Sequence, residues 1–262
     1  MDYKFKQENY NFWAGRIKTK PPEQICTNDV ELAVLEAKQI LSKLRDGTDI
    51  LEIGCGNGLL YEDIRNQYRV KGYLGTDFVK ELIDICKNKI RNKNDEFRQL
   101  DMTEVNPETF DKKFDFIISR RAIQNVIDKE LQLEVIDNLG YFLQESGLMI
   151  LVESSQTAQD RINLERDKYG LNPLTPPFHN LFLDDDRLKN QKFENVKLIE
   201  ISPFSSDFYF ITRIIYSRYA KEFLGESPTY EHPLQKIALS MSEKTSTSVY
   251  SQIKTYVFQK TL

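Results

Sequence analysis

Three glycines at alternate positions, Gly54, Gly56 and Gly58, follow directly on the apolar run Ile50, Leu51 and Ile53. Glycine lets a backbone approach a ligand closely and take positive φ. A glycine turn that opens onto a helix presents unpaired N–H groups to an anionic or nucleoside-bearing ligand. Two carboxylates complete such a site. Asp77 lies 19 residues past Gly58, and Asp101 ends a further short run, Glu96 to Leu100. At Asp77 a carboxylate can accept hydrogen bonds from both hydroxyls of a ribose. At Asp101 it can accept from the exocyclic amine of adenine, with Met102 or Phe78 on the adenine face. The dinucleotide fingerprint GxGxxG fails by one position, because residue 59 is leucine.

Other residues point to an acceptor beside that ligand. His179 is one of two histidines and sits in the proline-rich stretch Asn172 to Asn180. Its imidazole titrates near neutrality and suits a general base for a hydroxyl proton; the competing reading is a loop histidine bonded to backbone. Asn180 beside it is a candidate substrate contact. Glu153, at a strand end on the same edge, either orients His179, serves as base itself, or simply starts a helix. Arg120 and Arg121 match phosphate or carboxylate in a fork, or are surface ion-pair partners. Trp13 and Arg16 read as a lid over the glycine-loop ligand, one giving flat apolar area and the other charge, or as a segment packed on the core. Glu52, two residues before the first glycine, and Cys55, a small space-filling residue just after it, are placed in the ligand site with the glycines. His232 reads as structural. Asp184-Asp185-Asp186 reads as an acidic helix start rather than a metal cluster, and no metal is expected.

These residues must be positioned by alternating strands and helices. Asn28 or Asp29 caps a helix over 30–41. Strands are predicted at 50–53, 73–78, 96–100, 114–119 and 148–153, with helices near 59–68, 81–87 and 129–143. That alternation predicts an α/β fold, a parallel sheet covered on both faces. After Glu153 the pattern changes to an insertion: a polar helix over 156–169, the proline-rich loop, and a helix starting at 184–186. Two β-rich runs, 196–201 and 208–215, are separated by too few residues for a crossover helix, which predicts an antiparallel hairpin as the last two strands. From Tyr216 the chain reads as helical. The divisions are an N-terminal lid (1–45), a ligand-binding core (46–155), an insertion and substrate cap (156–192), the last two strands (193–215) and a helical tail (216–262).

Composition bounds the rest. The 262 residues are 40% hydrophobic and 29% charged, and 36 basic residues against 40 acidic ones leave −4. No basic stripe suggests nucleic acid. Cys26, Cys55 and Cys86 form no CxxC, which argues against a disulfide framework or zinc site. No signal-peptide h-region follows Met1 and no run approaches the roughly 20 apolar residues of a membrane span. The expectation is a cytoplasmic protein.

With these motifs in place, the chain resembles the class I S-adenosylmethionine-dependent methyltransferases over roughly 45–215. The match rests on Leu51-Glu52-Ile53-Gly54-Cys55-Gly56-Asn57-Gly58, Gly75-Thr76-Asp77, Leu100-Asp101-Met102 and Phe114-Asp115-Phe116-Ile117-Ile118-Ser119. It extends to Phe142 through Leu148, where the lysine, proline and one glycine of the usual family motif are absent. The resemblance implies a Rossmann-like seven-stranded sheet, mostly parallel with an antiparallel last strand, and S-adenosyl-L-methionine as cofactor. It implies that Gly54, Gly56 and Gly58 make room for the methionine part, that Asp77 binds the ribose and Asp101 and Met102 the adenine, and that Ser119 and Arg120 line the pocket near the sulfonium. Base-modifying amino-methyltransferases carry Asn/Asp-Pro-Pro-aromatic after the fourth strand; Ser119-Arg120-Arg121-Ala122 stands there instead, against nucleic-acid bases as substrate. The Phe12-Trp13-Arg16 entry and the Pro-Phe-His-Asn loop are similar to bacterial methyltransferases of surface-polysaccharide clusters, capsule or lipopolysaccharide. That likeness implies a hydroxyl of a sugar, glycan or nucleotide-linked precursor as acceptor. An amine, for which His179 matters little, a phosphate-type oxygen, and a non-catalytic binding protein are the other readings. The helical tail offers a surface for a homodimer.

Overall fold

The computed structural model describes residues 3–242 and 250–261. Its centre is a seven-stranded sheet: β1 (Asp49–Ile53), β2 (Gly72–Asp77), β3 (Asp95–Gln99), β4 (Phe114–Arg120), β5 (Leu143–Ser154), β6 (Val196–Pro203) and β7 (Ile253–Lys260). The strand order is β3-β2-β1-β4-β5-β7-β6. The first five strands pair in parallel, and β7 runs antiparallel to both neighbours, β5 and β6. The sheet is therefore the Rossmann-like arrangement expected.

Apolar side chains alternate between two faces, as pleating requires. Phe116, Ile118, Ile150 and Val152 pack toward α2 (Val30–Leu41) and α3 (Leu59–Gln67). Ile117, Met149 and Leu151 pack on the other face toward the helix Lys129–Gly140. Strands buried on both faces read as unbroken apolar runs, which is why Phe116-Ile117-Ile118 and Leu148 to Val152 were legible. Each such buried side chain stabilises the fold by about 1.5–3 kcal/mol, so a charge at Ile118 would break this layer.

The remaining helices are α1 (Tyr3–Thr19), α4 (Lys80–Lys87), α5 (Lys129–Gly140), α6 (Gln156–Lys168), α7 (Asp185–Asn190), α8 (Ser206–Tyr209), α9 (Tyr216–Tyr219) and α10 (Leu234–Ser242). Of the two candidate caps for α2, Asp29 holds the place, accepting from Leu32 N–H at 3.1 Å. The acidic run starts α7: Asp184 accepts from Arg187 N–H at 3.1 Å, and Asp185 is buried with Ser155 and Tyr256 hydroxyls at 2.9 and 2.7 Å.

The hairpin is where the sequence reading fails. Residues 208–215 are helical, not a strand: α8 continues through π-helical turns at Phe210–Ile215 and Ala220–Leu224 on either side of α9. Phe208, Tyr209, Ile211, Thr212 and Ile214 are buried, Ile215 is not. That is helical spacing, but a segment apolar on nearly every side has no period to read. The antiparallel strand is instead β7, inside the stretch expected to be a helical tail. Of that tail, residues 243–249 and 262 lie outside the described residues, as do residues 1 and 2 of the lid. Among the described residues no helix is long and apolar enough to cross a membrane.

Candidate active site

Strand order reverses between β1 and β4, so the carboxyl ends of β1, β2 and β4 open the crevice in which ligands of such sheets bind. The turn after β1 is held tightly there. Gly54 has φ +69°, and a Cβ on it would fall 2.1 Å from Ala122 Cβ, so only glycine lets the β1 and β4 loops abut. Gly58, at φ +77°, is the left-handed residue that starts α3. Unlike Gly54, Cys55 and Gly56, it does not line the cavity.

Asp77 ends β2 beneath this turn. Its Oδ2 accepts from Gly56 N–H and its Oδ1 from Val79 N–H, both at 2.9 Å. Burial pushes its carboxyl up to about 6, against the opposing pull of these amides. A carboxylate offers about four acceptor positions, so room for ribose hydroxyls remains. Asp101 is differently engaged. Its Oδ1 accepts from Thr103 N–H (2.9 Å) and hydroxyl (2.7 Å), its Oδ2 from Lys6 Nζ at 2.6 Å. Burial alone would raise this carboxyl, but the Lys6 and Thr103 donors outweigh it and hold it below the usual range.

Lys6 belongs to α1, which lies across the crevice as a roof. Tyr10 hydroxyl donates to Glu81 at 2.6 Å, Trp13 Nε1 to Asn125 Oδ1 at 3.1 Å. Arg16 donates to the carbonyl of Ile25 at 2.5 Å and to Asn28 Oδ1 at 2.9 Å. Arg16 thus ties the roof to the segment before α2 rather than pointing a free charge at the ligand. The cavity that α1 partly covers measures about 540 Å³. Two buried polar atoms on its walls, Asn9 Oδ1 and His179 Nδ1, have no hydrogen-bond partner. With the Asp77 acceptor and the flanking Phe78 and Met102, this donor and acceptor set suits an adenosyl cofactor.

Residues 44–181, just over half of the chain, match a family model described as a methyltransferase domain. The chain belongs to this methyltransferase domain family. A ribosomal protein L11 methyltransferase from Thermosipho africanus is 33% identical over 119 residues, 45% of this chain and 42% of that protein. The chain spans less than half the length of the curated relatives it matches. Solved structures show the same fold. A TehB-like SAM-dependent methyltransferase from Corynebacterium glutamicum aligns with a TM-score of 0.54 at 15% identity, over 97% of this chain and 100% of that one. A magnesium protoporphyrin IX methyltransferase from Synechocystis, solved with bound SAH, aligns at 0.56 and 10% identity, over 98% and 96%. The chain is thus a methyltransferase domain by family, and it shares its fold with S-adenosylmethionine-dependent enzymes.

The same cavity's walls also carry residues predicted for the acceptor, with corrections. Arg120, Arg121, His179 and Asn180 line it; Glu153 and Ser119 do not. Glu153 is fully buried, and its Oε1 accepts from Ser119 hydroxyl (2.9 Å), Ala122 N–H (3.0 Å) and Ile123 N–H (3.1 Å), its Oε2 from Gln124 N–H (3.2 Å). With its acceptor positions filled it does not face substrate as a base, and Ser119 is its donor rather than a pocket wall. Arg121 sits at φ +55°, pinned by its N–H to Val152 carbonyl (2.8 Å), with Nε 3.1 Å from the buried Glu36. Arg120 donates to Ala33 carbonyl at 3.4 Å and has no carboxylate within ion-pairing distance among the described residues. Glu52 also lines the cavity. Burial pushes its carboxyl up to about 8, and Tyr73 hydroxyl donates to it.

His179 packs among Phe12, Trp13 and Phe178, with ring centroids 4.4, 5.2 and 5.0 Å away. Burial, with the Arg16 charge, pulls its imidazole down to about 4, so it is neutral at physiological pH. Sequence reasoning missed Lys6, Asn9 and Arg213. Lys6, Asn9 and Trp13 share one helical face at spacings of three and four, a signal that was available. Arg213 pairs with Asp29 and lies among the rings of Phe208, Tyr209 and Tyr230. It was hidden by the strand reading of its segment.

Proposed function

We propose that this chain transfers a methyl group from S-adenosylmethionine to a small, anionic acceptor held by Arg120, the acceptor atom being a hydroxyl of a sugar, glycan unit or nucleotide-linked precursor. The observation that carries the reading is that one cavity joins Asp77 to Arg120 and His179. The cofactor's sulfonium supplies an activated methyl group. The protein then has to position the nucleophile in line, exclude water and take a proton. The α1 roof with its aromatic seal to Phe178 and His179 excludes water. Arg120, whose donors are mostly unused, anchors the acceptor's anionic part. His179 Nδ1, neutral and unpartnered, accepts the hydroxyl proton. Incubation with labelled cofactor and a panel of nucleotide-sugars, sugar phosphates and neutral sugars tests this. Label moving to phosphorylated or nucleotide-linked sugars supports it, and a panel with no labelled product sinks the acceptor assignment.

A second reading, an amine acceptor, is favoured by the low basicity that burial imposes on His179. A neutral amine attacks without a strong base. Under it, His179→Ala leaves turnover on an amine substrate nearly unchanged.

A further inference from the structure

Asp101 is the strand-end acid that the family likeness assigns to adenine, yet three of its about four acceptor positions are taken. Thr103 supplies two donors at 2.9 and 2.7 Å, and the Lys6 ammonium a third at 2.6 Å. The fourth position lies on Oδ2, shared with that ammonium. One helical turn beyond Lys6, on the same side of α1, stands Asn9. It is 3% exposed, lines the cavity, and its Oδ1 has no hydrogen-bond partner. A buried acceptor left unpaired costs about 1–3 kcal/mol, and asparagine is an odd choice for the one buried position of an otherwise exposed or half-buried helix. Both facts are accounted for if a ligand donor meets it.

We propose that Asn9 Oδ1 accepts a hydrogen from the adenine amino group of the cofactor, so that the base is read by the roof helix as well as by the strand edge. In this arrangement the Lys6–Asp101 ion pair is a positioning contact. It fastens α1 to the end of β3 and so places Asn9 over the base. This rests on the S-adenosylmethionine reading above.

The test is calorimetry on the full chain with S-adenosylhomocysteine and its 6-deamino purine analogue. The unmodified protein should bind the amino form roughly tenfold more tightly, the worth of one well-made hydrogen bond. Asn9→Ala should lose most of that preference, keeping only what the strand edge reads. Asn9→Asp keeps an acceptor and should keep the preference, which guards against a variant that merely folds poorly. Asn9→Ala retaining the full preference would overturn the proposal, as would an unmodified protein that ignores the amino group. If S-adenosylhomocysteine does not bind at all, the methyltransferase reading falls with it; if it binds without discrimination, only the Asn9 assignment falls.

Discussion

Ser119 donates its hydroxyl to Glu153 Oε1 at 2.9 Å, deep below the cavity. The same carboxylate collects three consecutive N–H groups, from Ala122, Ile123 and Gln124. One side chain at the end of β5 thereby shapes the loop after β4 on which Arg120 and Arg121 are mounted. Glu153→Gln replaces one acceptor oxygen by a donor that faces N–H groups. It should lower stability by about 1–3 kcal/mol, read as a drop in thermal midpoint, with cofactor affinity falling as the loop loosens. A variant that melts like the unmodified protein would show that the carboxylate does not organise the loop.

Cofactor binding should depend on pH through Asp77. Its carboxyl titrates at about 6 because it is buried, and the charged form is the stronger acceptor for ribose hydroxyls. Affinity for S-adenosylhomocysteine should fall as pH drops through 6, and Asp77→Asn should bind weakly with a flattened profile. Isothermal titration at pH 5, 6, 7 and 8 checks both.

Glu52 should leave a mark on stability rather than on binding. Its folded carboxyl sits at about 8, well above the about 4.3 of an unfolded glutamate. The folded state therefore holds the extra proton. The contribution is fully present below about 4.3 and is lost as pH rises through about 8. Glu52→Gln, which can still accept from Tyr73, should flatten the decline in denaturation midpoint between pH 5 and 9.

Arg121 and Glu36 form a pair whose members are unequal in exposure, with side chains 21% and 0% accessible. Removing only the arginine strands a buried carboxylate, which typically costs about 3–5 kcal/mol. Arg121→Met should therefore unfold in markedly less denaturant. The double change Arg121→Met with Glu36→Leu should recover most of that loss. If the double variant is as unstable as the single one, the strained backbone at residue 121 rather than the stranded charge sets the cost.

His179 is expected to act on turnover and not on cofactor affinity. His179→Ala should bind S-adenosylhomocysteine within a few-fold of the unmodified protein while methylating a hydroxyl acceptor about 10²–10⁴-fold more slowly. Because burial holds the imidazole near 4, turnover should show no break between pH 6 and 7 from this residue. Such a break that vanishes in His179→Ala would place its titration near the ordinary histidine value instead.

Which strand-end residues line the crevice was largely legible from spacing alone. Gly54, Gly56, Asp77 and Asp101 lie close in sequence to strand ends, and the strands are short apolar runs with little competing interpretation. The residues proposed for the acceptor were legible only in part. Arg120, Arg121, His179 and Asn180 do line the cavity, whereas Ser119 and Glu153 turn away from it to bond each other. Nothing in residue type distinguishes a carboxylate that faces a ligand from one that caps a loop. Both are acids at a strand end, and the difference is which N–H groups the fold brings within 3 Å.

By itself the sequence determined the parallel sheet, the glycine turn and the family, because strand pattern, turn chemistry and the acids after β2 and β3 are local properties of the chain. Only the tertiary structure decided which segment closes the sheet and what covers the crevice. β7 pairs with β5 across about a hundred residues of intervening chain, and the apolar run at 208–215 became a helix because its burial is set by neighbours it meets only after folding. The roof is the same case: Lys6 finds Asp101, and Asn9 finds the cavity, through contacts no local pattern encodes.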